Sequence, residues 1–146
     1  MISNSSKYAI KAVLYLSLKS ASHQRIQAKD VAKNINVPQA YTAKLLQELS
    51  RQKIISSIRG PRGGFYLSEE NKSQSLFEII KVIDGEKRIH ACILEIEVCD
   101  IENPCPMHDI VYPSKARFLD YMKSETIGNF SKQIEGNSNY FEKLIS

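Results

Sequence analysis

VPQAYTAKLLQELSRQKIISSIRGPRGGFYLSEE, residues 37–70, carries a helix and a hairpin in one run. Pro38 suits a first helical turn, where its missing N–H costs nothing. Leu45, Leu46 and Leu49 then repeat at helical spacing and form a buried stripe. Beyond them, Ile54, Ile55 and Ile58 favour a strand, as do Phe65, Tyr66 and Leu67. RGPRGG between the two runs reads as a turn that exposes two arginines. A helix followed by a β-hairpin with a basic tip is expected.

Working outward, AKDVAKNI (residues 28–35) is a short helix with Val31, Ala32 and Ile35 on one side, and Asn36 suits a left-handed turn. Two short helices joined by three or four residues, the second opening on small and polar side chains, make a helix-turn-helix. The hairpin after it is then a wing. Upstream, SSKYAIKAVLYLSLKS is a first helix that Ser5 or Ser6 can cap, with Tyr8, Ala12, Tyr15, Leu16 and Leu18 mostly on one face. Downstream, Ser75 and Glu78 match a capping box ahead of Leu76, Ile79, Ile80 and Ile83, and Gly85 closes that helix. Residues 87–106 have no helical period and read as a long loop stopped by prolines.

Residues 107–126 are helical again. Met107, Ile110, Val111, Ser114, Phe118, Tyr121 and Met122 lie along one side, and Pro113 predicts a kink or a later start. Thr126 caps a short helix, and residues 137–146 are weakly patterned. The fold class expected is mainly α with a small β-hairpin.

Charge divides the chain. Residues 1–67 hold eleven Lys/Arg against Asp30 and Glu48, a net +9; residues 68–146 hold nine against fourteen acids, a net −5. A basic front half points to a polyanionic partner for that half. No apolar run approaches a membrane span, the N-terminus lacks a signal-peptide pattern, and the expected location is the cytoplasm. No nucleophile–base pair stands out, so an enzyme is not expected.

A recognition helix enters the major groove of double-stranded DNA and reads base edges near its N-terminus. Gln39 suits adenine, Ala40 or Thr42 a thymine methyl, and Tyr41 and Lys44 a phosphate. Arg59 and Arg62 on the tip suit a minor groove, with Gly60 and Gly63 letting backbone approach a phosphate. Lys7, Lys11, Lys29 and Lys33 add positive charge.

All three cysteines lie in ACILEIEVCDIENPCPMHD, residues 91–109, with six residues between Cys92 and Cys99 and five between Cys99 and Cys105. An odd number does not close a disulfide framework. Cys105 and His108 are three apart, so one helical turn sets both side chains on one edge. Buried structural thiols, a structural zinc site, a thiol redox switch and an iron–sulfur cluster are the readings open to this set.

SSIRGPRGGFYLS, the helix-turn-helix before it, the opening KYAIKAVLYL and the cysteine loop together resemble the Rrf-two family of winged-helix regulators. The resemblance covers residues 6–134 and is to the iron–sulfur-binding branch that includes IscR, NsrR and RirA. It implies a homodimer on a palindromic operator, paired through the helix after the cysteine loop. It also implies a cluster on Cys92, Cys99 and Cys105 whose state changes DNA affinity, either [2Fe–2S] with His108 as the fourth ligand or [4Fe–4S] with a ligand from outside. The chain then divides into a winged-helix domain (1–85), a cluster loop (86–108) and a dimerisation helix with C-terminal segment (109–146). Lys7 stands where nitric-oxide-sensing relatives have an aspartate, and Ala43 where IscR-type proteins have an acid. An iron–sulfur carrier that does not touch DNA is the rival class.

Overall fold

Helix α1 (Asn4–Lys19) is the axis of the molecule. A computed structural model describes residues 2–20, 24–94 and 100–145. Ala9, Ala12, Val13, Leu14, Tyr15 and Leu16 of α1 are all buried. Burial spreads beyond one face because α2, α3 and α5 of the winged helix pack on α1, and α8 packs on it from farther along the chain. The cap is Ser3, whose Oγ accepts from the Ser6 N–H at 3.0 Å. Ser5 and Ser6 therefore do not cap the helix; they lie inside it, and Ser6 is fully buried. Ser3 also donates, through its N–H at 3.0 Å and its hydroxyl, to Asp84 at the end of α5 (Leu76–Asp84).

The helix-turn-helix forms as expected. Helix α2 (Ala28–Ile35) ends at Asn36 in the left-handed region (φ 56°, ψ 51°), and α3 (Gln39–Arg51) starts after Pro38. Strands β1 (Ser56–Ile58) and β2 (Gly64–Tyr66) pair antiparallel, Ser57 opposite Phe65. Ile54 and Ile55 are not in the strand. They are buried just before it, where Lys53 turns the chain at φ 62° and the Ile54 N–H bonds the Leu49 carbonyl at 2.9 Å. Ile26, just before α2, exchanges two backbone bonds with Phe65 (2.9 and 2.8 Å) and flanks the hairpin.

The capping box lies at Ser68 and Asn71, on the one-turn helix α4 (Glu69–Lys72), and not at Ser75 and Glu78. At Ser75 the backbone is used instead. It bridges Thr126, with the Leu76 N–H on the Glu125 carbonyl (3.0 Å) and the Ile127 N–H on the Gln74 carbonyl (2.9 Å). A carbonyl from the far end of the chain thus satisfies the first N–H of α5, while the Glu78 N–H falls to the Ser75 carbonyl at 3.1 Å.

Past Gly85 (φ 78°), one turn of helix, α6 (Glu86–Ile89), buries Ile89, so the loop starts later than residue 86. Helix α7 (His108–Ser124) runs through Pro113 from a start at His108, five residues before it. Leu119 and Met122 of α7 are buried and the helix packs on α5, where Lys123 Nζ lies 4.9 Å from the centre of the Phe77 ring. Of the expected stripe, Met122 is buried and Phe118 packs against the core, while Met107, Ile110 and Tyr121 are exposed, so the stripe meets the protein's own core only at its C-terminal end. Helix α8 (Ile127–Glu135) is capped by Thr126 as expected, and the tail is not irregular but helical, as α9 (Ser138–Ile145). Leu119, Met122 and Ile127 join the same hydrophobic cluster as Val13, Leu49 and Ile80, so the back segment shares one core with the winged helix.

Asn71 is buried and ties three segments, the turn at Lys53, β1 and its own helix: its Oδ1 accepts from the Ser68 N–H (2.9 Å) and Ser56 Oγ (2.7 Å), its N–H donates to Ser68 Oγ (3.1 Å), and its Nδ2 donates to the Lys53 carbonyl (3.2 Å). Asn71→Ala should lower unfolding free energy by about 2 kcal/mol, measured by urea titration; a loss within error of zero would contradict this.

Candidate nucleic-acid interface and thiol pocket

Helix α3 turns Leu45, Leu46 and Leu49 inward and thereby fixes what it shows to solvent. Gln39, Ala40, Lys44, Gln47 and Arg51 are exposed. Thr42 is fully buried and Thr42 Oγ1 has no hydrogen-bond partner, so contact with a thymine methyl is corrected: reaching one would unpack α3 from the core. Tyr41 is half-buried against the core, meets Tyr8 edge-on at 6.0 Å, and shares a hydrogen bond with Ser5 Oγ. That engaged hydroxyl makes Tyr41 a brace between α1 and α3 more than a phosphate ligand. Gln47 is a face residue that the N-terminal reading passed over; its spacing from Ala40 and Lys44 was the available signal.

At the hairpin tip Arg59, Gly60, Pro61 and Arg62 are exposed. Gly60 has φ 110°, and the Gly63 N–H closes the turn on the Gly60 carbonyl at 2.9 Å. A Cβ on Gly63 would stand 2.1 Å from the Ile58 carbonyl oxygen, so its role is to let the two sides of the turn meet. Between α3 and the wing lies an open groove of about 620 Å³ whose rim includes Gln27, Gln47, Arg51, Arg59 and Gly60. Arg51 is not idle there: its guanidinium donates twice to Glu48 (2.8 and 2.6 Å), which raises its pKa. Lys29 and Lys33 are exposed on α2, Lys7 is exposed on α1 and Lys11 is half-buried.

On the other half of the molecule, Cys92 and Cys105 are half-buried free thiols with their sulfurs 3.7 Å apart. Both segments are tied to α7. Lys115 Nζ donates to the Ala91 carbonyl at 2.6 Å, and the His108 N–H donates to the Cys105 carbonyl at 2.9 Å. His108 stacks on Tyr112 with ring centres 4.9 Å apart and an interplanar angle of 17°. Among the described residues no three His, Cys, Asp or Glu side chains gather as a metal group. Cys99, with Glu95 and Glu97, lies outside the described residues. Asp100 accepts from Asn103 Nδ2 (3.1 Å) and the Glu102 N–H (2.9 Å), which holds its carboxyl below the usual range and keeps that acid ionised.

A helix-turn-helix with a basic hairpin packed beside it defines a winged-helix transcription regulator. The family model described as an iron-dependent transcriptional regulator, Rrf2, matches residues 2–133, and the chain belongs to that family, the Rrf-two family of the resemblance. A helix-turn-helix-type transcriptional regulator of Aquifex aeolicus is 30% identical over 129 residues, covering 87% of this chain and 88% of the relative. NsrR of Bacillus licheniformis is 21% identical over 146 residues, covering 99% of each. The solved structure of CymR, the global cysteine regulator of B. subtilis, superposes with a TM-score of 0.72 at 21% identity, covering 91% of this chain and 97% of CymR. The family consists of transcriptional regulators and not enzymes. Among the described residues no helix is long and apolar enough to cross a membrane.

Thr42→Val removes a buried hydroxyl that has no partner, so it should leave stability unchanged or raise it by about 1 kcal/mol and leave duplex binding within twofold. Urea unfolding and a fluorescence anisotropy titration check both; a selective loss of affinity would restore Thr42 to the interface. Lys44→Ala should weaken binding to every duplex tested and reduce the salt slope by about one; an unaltered slope would remove Lys44 from the phosphate contacts.

Proposed function

We propose that the protein is a cytoplasmic homodimer that binds a palindromic operator in double-stranded DNA with an affinity set by an iron–sulfur cluster. The observation that carries the cluster is the sulfur separation. Two thiolates on one tetrahedral metal at about 2.3 Å each stand about 3.8 Å apart, and the Cys92 and Cys105 sulfurs are 3.7 Å apart. Both thiols thus fit a single metal ion. A [2Fe–2S] cluster, with two protein ligands per iron, accommodates that pair; a [4Fe–4S] cluster takes one thiolate per iron and spreads them further. Cys99 and His108 are the remaining candidate ligands. Bound there, the cluster supplies a centre whose charge and presence respond to iron, oxidants or nitric oxide.

The chain's own residues carry the rest. Gln39, Ala40 and Lys44, joined by Gln47, are the groove-facing set of α3, while Arg59, Gly60, Arg62 and Gly63 form the wing contact and Lys29 reaches a phosphate. Lys115 and His108 link the thiol segments to α7, and α7 packs on α5, which in turn packs on α3. A change at the sulfurs therefore has a packed route to the recognition helix. The exposed apolar side chains of α7, with Ile110 at 79% exposure, support pairing with a second copy. An iron–sulfur carrier that avoids DNA leaves the +9 front half and the arginine-tipped wing without a purpose.

The same sulfur separation also suits a structural zinc site, and one experiment decides between them. Anaerobically purified protein should show visible absorption with iron and acid-labile sulfide, and Cys99→Ala should abolish that absorption while helix content is retained. Stripping and reloading the metal should change operator affinity at least tenfold, which corresponds to ~1.4 kcal/mol. Zinc without iron or sulfide, or equal affinity in both states, would overturn the reading.

A further inference from the structure

We infer that Cys92 and Cys105 form a reversible intramolecular disulfide in the metal-free protein, a modification chemically distinct from cluster binding that uses two of the same thiols. The Cys92 thiol donates to the Cys105 sulfur at 3.7 Å, and both are half-buried free thiols. Twelve residues separate them in the chain, so local geometry does not force the contact. It is set by α7: Lys115 holds the carbonyl of Ala91, next to Cys92, and the first N–H of α7 holds the carbonyl of Cys105 itself. A disulfide needs the sulfurs at about 2.05 Å, a closure of under 2 Å that side-chain rotation supplies once the thiol proton leaves. Two thiols held this way react as neighbours at high effective concentration.

A low-molecular-weight disulfide is the oxidant. One protein thiolate attacks a sulfur of the small disulfide; the S–S bond of the latter breaks and one small thiol leaves. The second protein thiolate attacks the protein-side sulfur of the mixed disulfide, the Cys92–Cys105 bond forms and a second small thiol leaves. Two electrons pass from the protein to the small disulfide, and the two protein thiol protons end on the two small thiols. The closed form has one free thiol left, Cys99, and cannot offer three thiolates to a metal.

The test uses the full-length protein, metal-free and anaerobic, equilibrated against mixtures of reduced and oxidised glutathione, then alkylated and mapped by mass spectrometry. The expected result is loss of two thiols per chain, a crosslinked Cys92–Cys105 peptide, and alkylation at Cys99 alone. Cys99→Ser should keep that loss, and Cys92→Ser and Cys105→Ser should lack the Cys92–Cys105 crosslink. Lys115→Met should raise the ratio of oxidised to reduced glutathione needed for half closure roughly tenfold, with Lys115→Arg restoring it and circular dichroism unchanged in both. Three free thiols at oxidising ratios, or Cys99 as a partner in the main crosslink of the wild-type chain, would overturn the inference. Should a serine variant fail to fold, the wild-type map alone decides. No iron enters this assay, so its failure is separate from failure of the cluster reading.

Discussion

Helix α1 is covered from two directions, and most of the molecule follows from that. Its small residues, Ala9 and Ala12, and its larger ones, Val13, Leu14 and Leu16, leave almost no apolar surface to water. Helices α2, α3 and α5 bury part of it, and α8 another part. The winged helix is therefore not closed without residues from beyond position 120: Met122 and Ile127 finish the cluster that Val13 and Ile80 begin. Backbone pairing of Ser75 with Thr126 and the clamp of Ser3 on Asp84 hold the same parts at their edges. Burying apolar area stabilises by ~25 cal/mol per Å², so this shared core does most to hold the DNA-facing and thiol-bearing halves together.

The electrostatic division of the chain survives in this merged fold. The exposed cations of α2, α3 and the wing tip belong to the front half, and among the described residues the exposed acids Asp100, Glu102 and Asp109 flank the thiol segment. A polyanion is drawn to one part of the surface and repelled by another, which orients an approaching duplex before any base is read. The two parts meet through packed helices and not through a flexible linker, so the charged face and the thiol segment belong to one body.

Elements written in local periodicity were legible. The stripe of Leu45, Leu46 and Leu49, the left-handed Asn36 and the glycine-rich turn between two β-favouring runs each specify their structure within a few residues, so the winged helix could be read directly. What escaped depends on distant partners. Ser75 has the letters of a capping box, yet the Leu76 N–H and the Gln74 carbonyl on either side of it are met by a chain segment fifty residues away. Thr42 has the chemistry of a base reader but sits one helical step off the outer face, and Tyr41 is diverted by Ser5. The stripe on α7 is legible as a stripe; its periodicity does not say that Met122 enters the chain's own core while Met107, Ile110 and Tyr121 stay outside it. Of the thiol site, the sequence supplied three cysteines in one loop. That Cys92 and Cys105 in particular adjoin is a result of Lys115 reaching back from α7, which no spacing within the loop encodes.

The close fit at Gly63 also limits how this surface can diverge. Gly63 has a carbonyl oxygen 2.1 Å from where a Cβ would sit, and Gly60 holds a positive φ. Neither can be exchanged without rebuilding the turn. Positions 59, 61 and 62 carry no such restriction. Descendants of this sequence can thus retune which groove shape the hairpin prefers by changing three side chains on an invariant backbone, so its evolvability is concentrated in the residues whose loss costs the fold least.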